Sequence, residues 1–195
     1  MIVLGIDPGS RRCGWGVVER RGGRLAVLAS GVLAPGDRPV PERLAAILGG
    51  LDEVIARFSP AECSVERVFS GASARSALVL GQARGVALAA AARAGLPVFE
   101  YAPAAVKLAF TGSGRASKEQ MVRTARTLLG VAPRLADEAD ALALAVCHLG
   151  ARVARLRALP GPAGGRALPA SAAGSRGAAA AARLVPARRD HRRAP

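Results

Sequence analysis

The spacing of apolar and polar residues changes period several times along the chain. Ile2 to Ile6 is a short run rich in β-branched side chains, closed by Asp7-Pro8-Gly9-Ser10. That is the pattern of a buried strand running into a turn. Gly14 to Glu19 and Leu25 to Leu33 predict two more strands around the turn Arg21-Gly22-Gly23, hence an antiparallel meander. From Pro41 to Phe58 the period becomes helical. Leu44, Ile47, Leu48, Leu51, Ile55 and Phe58 share a face, and Ser59-Pro60 closes the segment. Cys63 to Val68 predicts a fourth strand, Ser73 to Ala94 an Ala-rich helix, and Val98 to Tyr101 a fifth strand. Gly81 and Gly85 in the Ala-rich helix are expected to let a neighbouring helix come close. Pro103 to Phe110 predicts a short helix. Ser117 and Gln120 predict a capping box at the start of a helix running to Leu129. Asp137 opens a last helix that reaches Arg155.

Three strands, a helix, a strand, a helix, a strand and then helices make an α/β domain. Its expected form is a mixed five-stranded sheet with helices on both faces, the element order of the ribonuclease-H-like fold. Residues 1–157 are expected to form this domain. Past Leu159 the apolar period disappears. From residue 151 onward ten Arg face a single acid, Asp190. Residues 158–195 are therefore expected to be a disordered basic tail rich in Ala, Gly, Pro and Arg, able to attract phosphate but not to build a site.

Charge narrows the function classes. The formal net charge is +14, from 28 basic and 14 acidic residues. A chain this basic ordinarily meets a polyanion, nucleic acid before an anionic membrane. A drift of composition toward Ala, Arg, Gly and Pro accounts for much of the Arg excess. Against that background only Lys107 and Lys118 remain as lysines. Cys13, Cys63 and Cys147 lie far apart in apolar surroundings with no metal spacing, and read as buried small hydrophobes in a reducing compartment. The apolar run at the start stops at Asp7, and the stretch Gly85 to Ala92 is far short of the ~20 residues that span a bilayer. A cytoplasmic protein with no membrane segment is expected.

Four acids stand apart by position. Asp7 ends a buried strand, and Glu66 sits in a strand. Asp137 and Asp140, three apart, share one helical face. Each has an ordinary structural explanation alone: turn chemistry for Asp7, an outward-facing edge position for Glu66, a cap or a helix-dipole partner for Asp137 and Asp140. Together, on this element order, they suggest converging carboxylates that need a cation. Oxygen ligands without Cys or His favour Mg²⁺ or Mn²⁺ over Zn²⁺. Two such ions can activate water and stabilise the leaving oxygen of a phosphodiester.

The motifs, taken in order, resemble the RuvC family of Holliday-junction resolvases. They are Gly5-Ile6-Asp7-Pro8-Gly9-Ser10 with Gly14 and Gly16, Val65-Glu66-Arg67-Val68-Phe69, Ser76-Ala77-Leu78, Leu80 to Ala87, Pro97 to Tyr101 with Val106-Lys107, and Ala136 to Ala143. The resemblance covers residues 1 to 150. It implies a homodimer that binds four-way junction DNA and nicks two strands symmetrically by Mg²⁺-dependent hydrolysis, with two ions per site and Mn²⁺ as a substitute. The products would carry 5′-phosphates, and the work would belong to homologous recombination and DNA repair. It puts the catalytic, metal-holding carboxylates on Asp7, Glu66, Asp137 and Asp140. Asp137 is the position where some family members carry His. It puts a base-stacking aromatic on Phe69, phosphate contacts on Lys107 and Lys118, and weaker DNA contacts on Arg75 and Arg84. It also implies cooperation with the RuvA and RuvB branch-migration proteins. The long Arg-rich tail and Arg115-Ala116-Ser117 depart from the family pattern. Two competing readings share the fold: a YqgF-type RNA-processing nuclease and a non-catalytic junction-binding protein.

Overall fold

The strand that ends in Asp7 is the centre of the molecule. A computed structural model describes residues 1–67 and 74–158, within a compact unit Met1–Leu159. Strands β1 (Ile2–Asp7), β2 (Cys13–Arg21) and β3 (Arg24–Leu33) form the expected meander. Helix α1 (Val40–Phe58) leads to β4 (Glu62–Glu66), helix α2 (Ala74–Arg93) to β5 (Val98–Tyr101). Then come α3 (Pro103–Thr111), α4 (Lys118–Leu129) and α5 (Ala136–Ala158). The sheet order is β3-β2-β1-β4-β5, antiparallel in the meander and parallel from β1 to β5.

Pleating sorts β1 between two cores. Leu4 and Ile6 join Ile47, Leu51, Ala87 and Ala91 under α1 and α2. Val3 joins Val106, Phe110, Met121 and Leu142 under α3, α4 and α5. The helices therefore cover both faces, as the element order predicts. The capping box is present: the Gln120 backbone N–H donates to Ser117 Oγ, and the Ser117 N–H to Gln120 Oε1 at 2.7 Å. Three free cysteines are buried, as expected.

Two expectations change. The fourth strand ends at Glu66 rather than Val68, where pairing with β5 ends at Glu66↔Tyr101 and Arg67 N–H donates to the Tyr101 carbonyl at 2.8 Å. Glu66 is thus at a strand end, like Asp7. The second change concerns close approach. Gly81 and Gly85 have open space beside them, and no helix among the described residues packs on either. The close approach is instead between α5 and the sheet. Gly5 and Gly16 are cross-strand partners, as are Asp7 and Gly14. A methyl group at Gly5 would press into the Ala141 carbonyl and lie 2.8 Å from Ala145 N; one at Gly14 would strike the Asp137 carbonyl. Only hydrogen at these positions lets the α5 backbone lie on the sheet.

The far end of α5 is clamped by a buried polar network. His148 is fully buried and meets Glu62, while the Tyr101 hydroxyl lies 2.7 Å from His148 Nδ1 and Arg152 lies 3.2 Å from Glu62 Oε1. With Tyr101 donating, Nδ1 accepts, so the proton sits on Nε2 and is donated to the carboxylate. Burial depresses the His148 pKa, with the Glu62 carboxylate opposing. Glu62→Ala would strip His148 and Arg152 of their common partner. The expected cost in urea unfolding is about 2–4 kcal/mol. Arg152→Ala, at a half-exposed position, should cost under about 1 kcal/mol.

Candidate active site

The site lies at the C-terminal ends of β1 and β4 under the first turn of α5. Val3, Gly5 and Asp7 alternate onto the α5 face of β1. Parallel pairing runs from Val3↔Glu62 to Ile6↔Val65, and the next step along both strands reaches Asp7 and Glu66. The two carboxylates are therefore neighbours on one face. Helix α5 crosses above them. Its contacts over Gly14 and Gly5 fix Asp137 and Asp140 above Asp7.

Helix α5 is also held at its start. Glu138 Oε1 accepts from Ser30 Oγ at 2.7 Å, and Glu138 Oε2 accepts from the Arg134 backbone N–H at 2.9 Å. Sequence reasoning missed this acid. Its position between Asp137 and Asp140 was visible, but its partner on β3 lies 108 residues away. Glu62 and His148 were missed for the same reason.

The four carboxyl groups act on one another electrostatically. Asp7 is pushed up to about 8, first by burial, then by Glu66, Asp140 and Asp137, with Lys118 opposing. Glu66 is raised by burial and by Asp140, against Lys107. Asp140 is raised by burial and, more weakly, by Asp137, while Lys118 and Lys107 pull it down. The four acids and two lysines singled out from the sequence therefore share one electrostatic site. The carboxylates stop short of a closed cage: among the described residues no three acid, His or Cys side chains are grouped to grip an ion by themselves.

The remaining sequence candidates fall elsewhere. Arg84 is engaged: its guanidinium lies 2.7 Å from Glu100 Oε1, and its Nε donates to the Glu66 carbonyl at 3.4 Å. It braces the strand end that carries Glu66. Arg75 belongs to the first turn of α2, and its side chain, like the whole of Phe69, lies outside the described residues. So does the expected tail 158–195, except Ala158, which ends α5. Among the described residues no helix is long and apolar enough to cross a membrane.

Comparison with known proteins gives a consistent result. The family model described as crossover junction endodeoxyribonuclease RuvC matches residues 3–148. Proteins called crossover junction endodeoxyribonuclease RuvC from Anaeromyxobacter sp. (strain Fw109-5) and Anaeromyxobacter dehalogenans (strain 2CP-C) are each 70% identical. The first match covers 98% of both chains, the second 100% of both. The structure of T. thermophilus RuvC in complex with Holliday junction substrate is similar at a TM-score of 0.73 and 39% identity. That match covers 79% of this chain and 96% of the other. The yeast mitochondrial Holliday junction resolvase shares the fold at a TM-score of 0.56 and 14% identity.

Proposed function

The chain belongs to the RuvC family of crossover junction endodeoxyribonucleases, and from that premise we propose that it resolves four-way DNA junctions at the site around Asp7. The observation that carries this reading is the concentration of half-buried carboxylates there, which raise one another and lift Asp7 to about 8. No fold gathers such carboxylates for stability, because each raises the cost of ionising the next. A cation and a polyanionic substrate resolve the conflict.

The family is metal-dependent, and the donors of this chain fit Mg²⁺. All are carboxylate oxygens, the hard ligands that ion prefers. Mg²⁺ usually takes one or two carboxylates and completes its shell with water and substrate phosphate. Asp7, Glu66 and Asp140 would hold the metal, two ions per site, with Asp137 beside them and Mn²⁺ as a substitute. When bound, the metal supplies charge for the leaving oxygen and lowers the pKa of water.

The rest is done by the chain itself. Partial burial beneath α5 lowers the solvent screening of Asp7. Lys107 and Lys118 face the carboxylates and would hold the scissile phosphate against the charge that otherwise repels it. A homodimer would present two such sites to strands of like polarity, giving paired nicks with 5′-phosphates. A cytoplasmic setting, DNA recombination and repair, and cooperation with RuvA and RuvB follow from the family in the same way.

The test is the separate neutralisation of Glu66 and Asp140. Glu66→Gln and Asp140→Asn should each lower junction cleavage by roughly 10²-fold or more, with junction affinity unchanged in a gel shift. Variants that cut at the wild-type rate would refute the assignment. Lys118→Ala should slow cleavage by roughly 10–100-fold while weakening binding by less than tenfold. An equal loss in both would make Lys118 a binding contact only.

A further inference from the structure

A second basic site lies across the β1–β2 loop from the carboxylates. Ser10 and Arg11 of that loop, Arg43 near the start of α1, and Ser76, Val79 and Leu80 of α2 line a pocket of about 400 Å³. It lies on the α1 and α2 side of the sheet, whereas the carboxylates face α5. Arg43 is half-buried in it. Its terminal nitrogen donates to Ser10 Oγ at 3.4 Å, a long bond. Its Nε is shielded from solvent and has no hydrogen-bond partner among the described residues. No carboxylate among them pairs with Arg43. Asp37 instead faces Arg11 at 3.7 Å, with both side chains largely exposed.

A guanidinium that has lost part of its hydration without gaining a carboxylate is costly, and such charges are normally paired. Arg presents a planar fork suited to phosphate, and here it is backed by a hydroxyl and a second Arg. Ser10 is three residues from Asp7, so its backbone lies within roughly 11 Å of it, at ~3.6 Å per extended residue. A DNA strand whose scissile bond sits over Asp7 therefore brings a neighbouring phosphate within reach of this pocket.

We propose that Arg43 and Ser10, with Arg11 at the rim, bind a backbone phosphate of the DNA next to the one that is cleaved. This anchor fixes the strand on the far side of the β1–β2 loop, while Lys107 and Lys118 hold the near side. It rests on the junction-binding reading above, and the wild-type arm of the test separates the two: a wild-type chain that binds no junction sinks that reading rather than this one.

The experiment measures anisotropy of a labelled four-way junction with the full chain in EDTA, across a salt series. Arg43→Gln should weaken binding by roughly 5–20-fold and lower the log–log salt slope by about one phosphate contact, and Arg43→Lys should keep the slope. A scan of single methylphosphonates near the cleavage position should then find one that weakens the wild type but not Arg43→Gln. An unchanged slope in Arg43→Gln, or a scan with no such position, would overturn the proposal. A Gln variant that fails to fold overturns it too, because the charge would then serve the fold. Melting in the absence of DNA should find Arg43→Gln as stable as the wild type.

Discussion

Asp7→Asn should abolish junction cleavage and, without metal, make the protein more stable. The two effects have one cause. Asp7 is half-buried beside Glu66, Asp140 and Asp137, and desolvation together with those charges lifts it from its ordinary 3.8 to about 8. An acid whose folded pKa lies above its unfolded value holds a proton in the folded state that the unfolded chain has already released. Its contribution favours folding at low pH and is lost as pH rises from about 4 to about 8. In EDTA the wild type should therefore lose stability across that window, and Asp7→Asn should lack this component of the slope. At pH 8 its melting temperature should be higher by roughly 3–6 °C, the equivalent of ~1.5 kcal/mol in a domain of this size. Adding Mg²⁺ should raise the wild-type melting temperature and leave the variant nearly unmoved. Cleavage should fall by at least roughly 10³-fold. A variant less stable than wild type in EDTA at pH 8 would mean that Asp7 is stabilised by its surroundings, against the charge conflict described above.

Gly5→Ala should be among the most damaging small substitutions in the domain. Its methyl group would press into the Ala141 carbonyl and lie 2.8 Å from Ala145 N. Both are backbone atoms inside α5, so neither can rotate aside. The helix must lift, which loosens the packing of Leu142 and Ala145 in the core and moves Asp137 and Asp140 away from Asp7. The expected cost is about 3 kcal/mol or more in urea unfolding. Cleavage should be lost even under conditions where the variant remains folded. Gly81→Ala is the matched control. Among the described residues its methyl group meets nothing within 4 Å, and Ala is the better helix former by about 1 kcal/mol. That variant should be unchanged or slightly more stable.

The contrast between these two glycines marks where the sequence could be read and where it could not. Local period and local chemistry carried the elements. The β1 run stopping at Asp7, the helical face from Leu44 to Phe58 and the Ser117–Gln120 box all form where the pattern puts them. These are short-range signals that need no partner to be recognised. The four acids stood out in the sequence only jointly, since each alone has an ordinary reading as a turn, an edge position or a cap. Close approach was not legible. Gly81 and Gly85 occur in an Ala-rich helix and look like a packing seam, yet among the described residues nothing lies within 4 Å of a methyl group at either. Gly5, Gly14 and Gly16 sit in strands, and their purpose depends on a helix more than 120 residues later. The same limit hid Glu62 and His148, which are unremarkable until β4, β5 and α5 meet. The partners of Arg84, Glu100 and the Glu66 carbonyl, were hidden in the same way, because they lie on β5 and β4.

The most direct test of the central claim is product mapping on a synthetic four-way junction beside a linear duplex and an RNA–DNA hybrid of the same sequence, with Mg²⁺ and with EDTA. The account predicts paired, symmetric nicks with 5′-phosphate ends on the junction alone, present with Mg²⁺ and absent in EDTA. Cleavage of the hybrid or the duplex in preference to the junction would contradict it, as would junction cleavage that persists in EDTA.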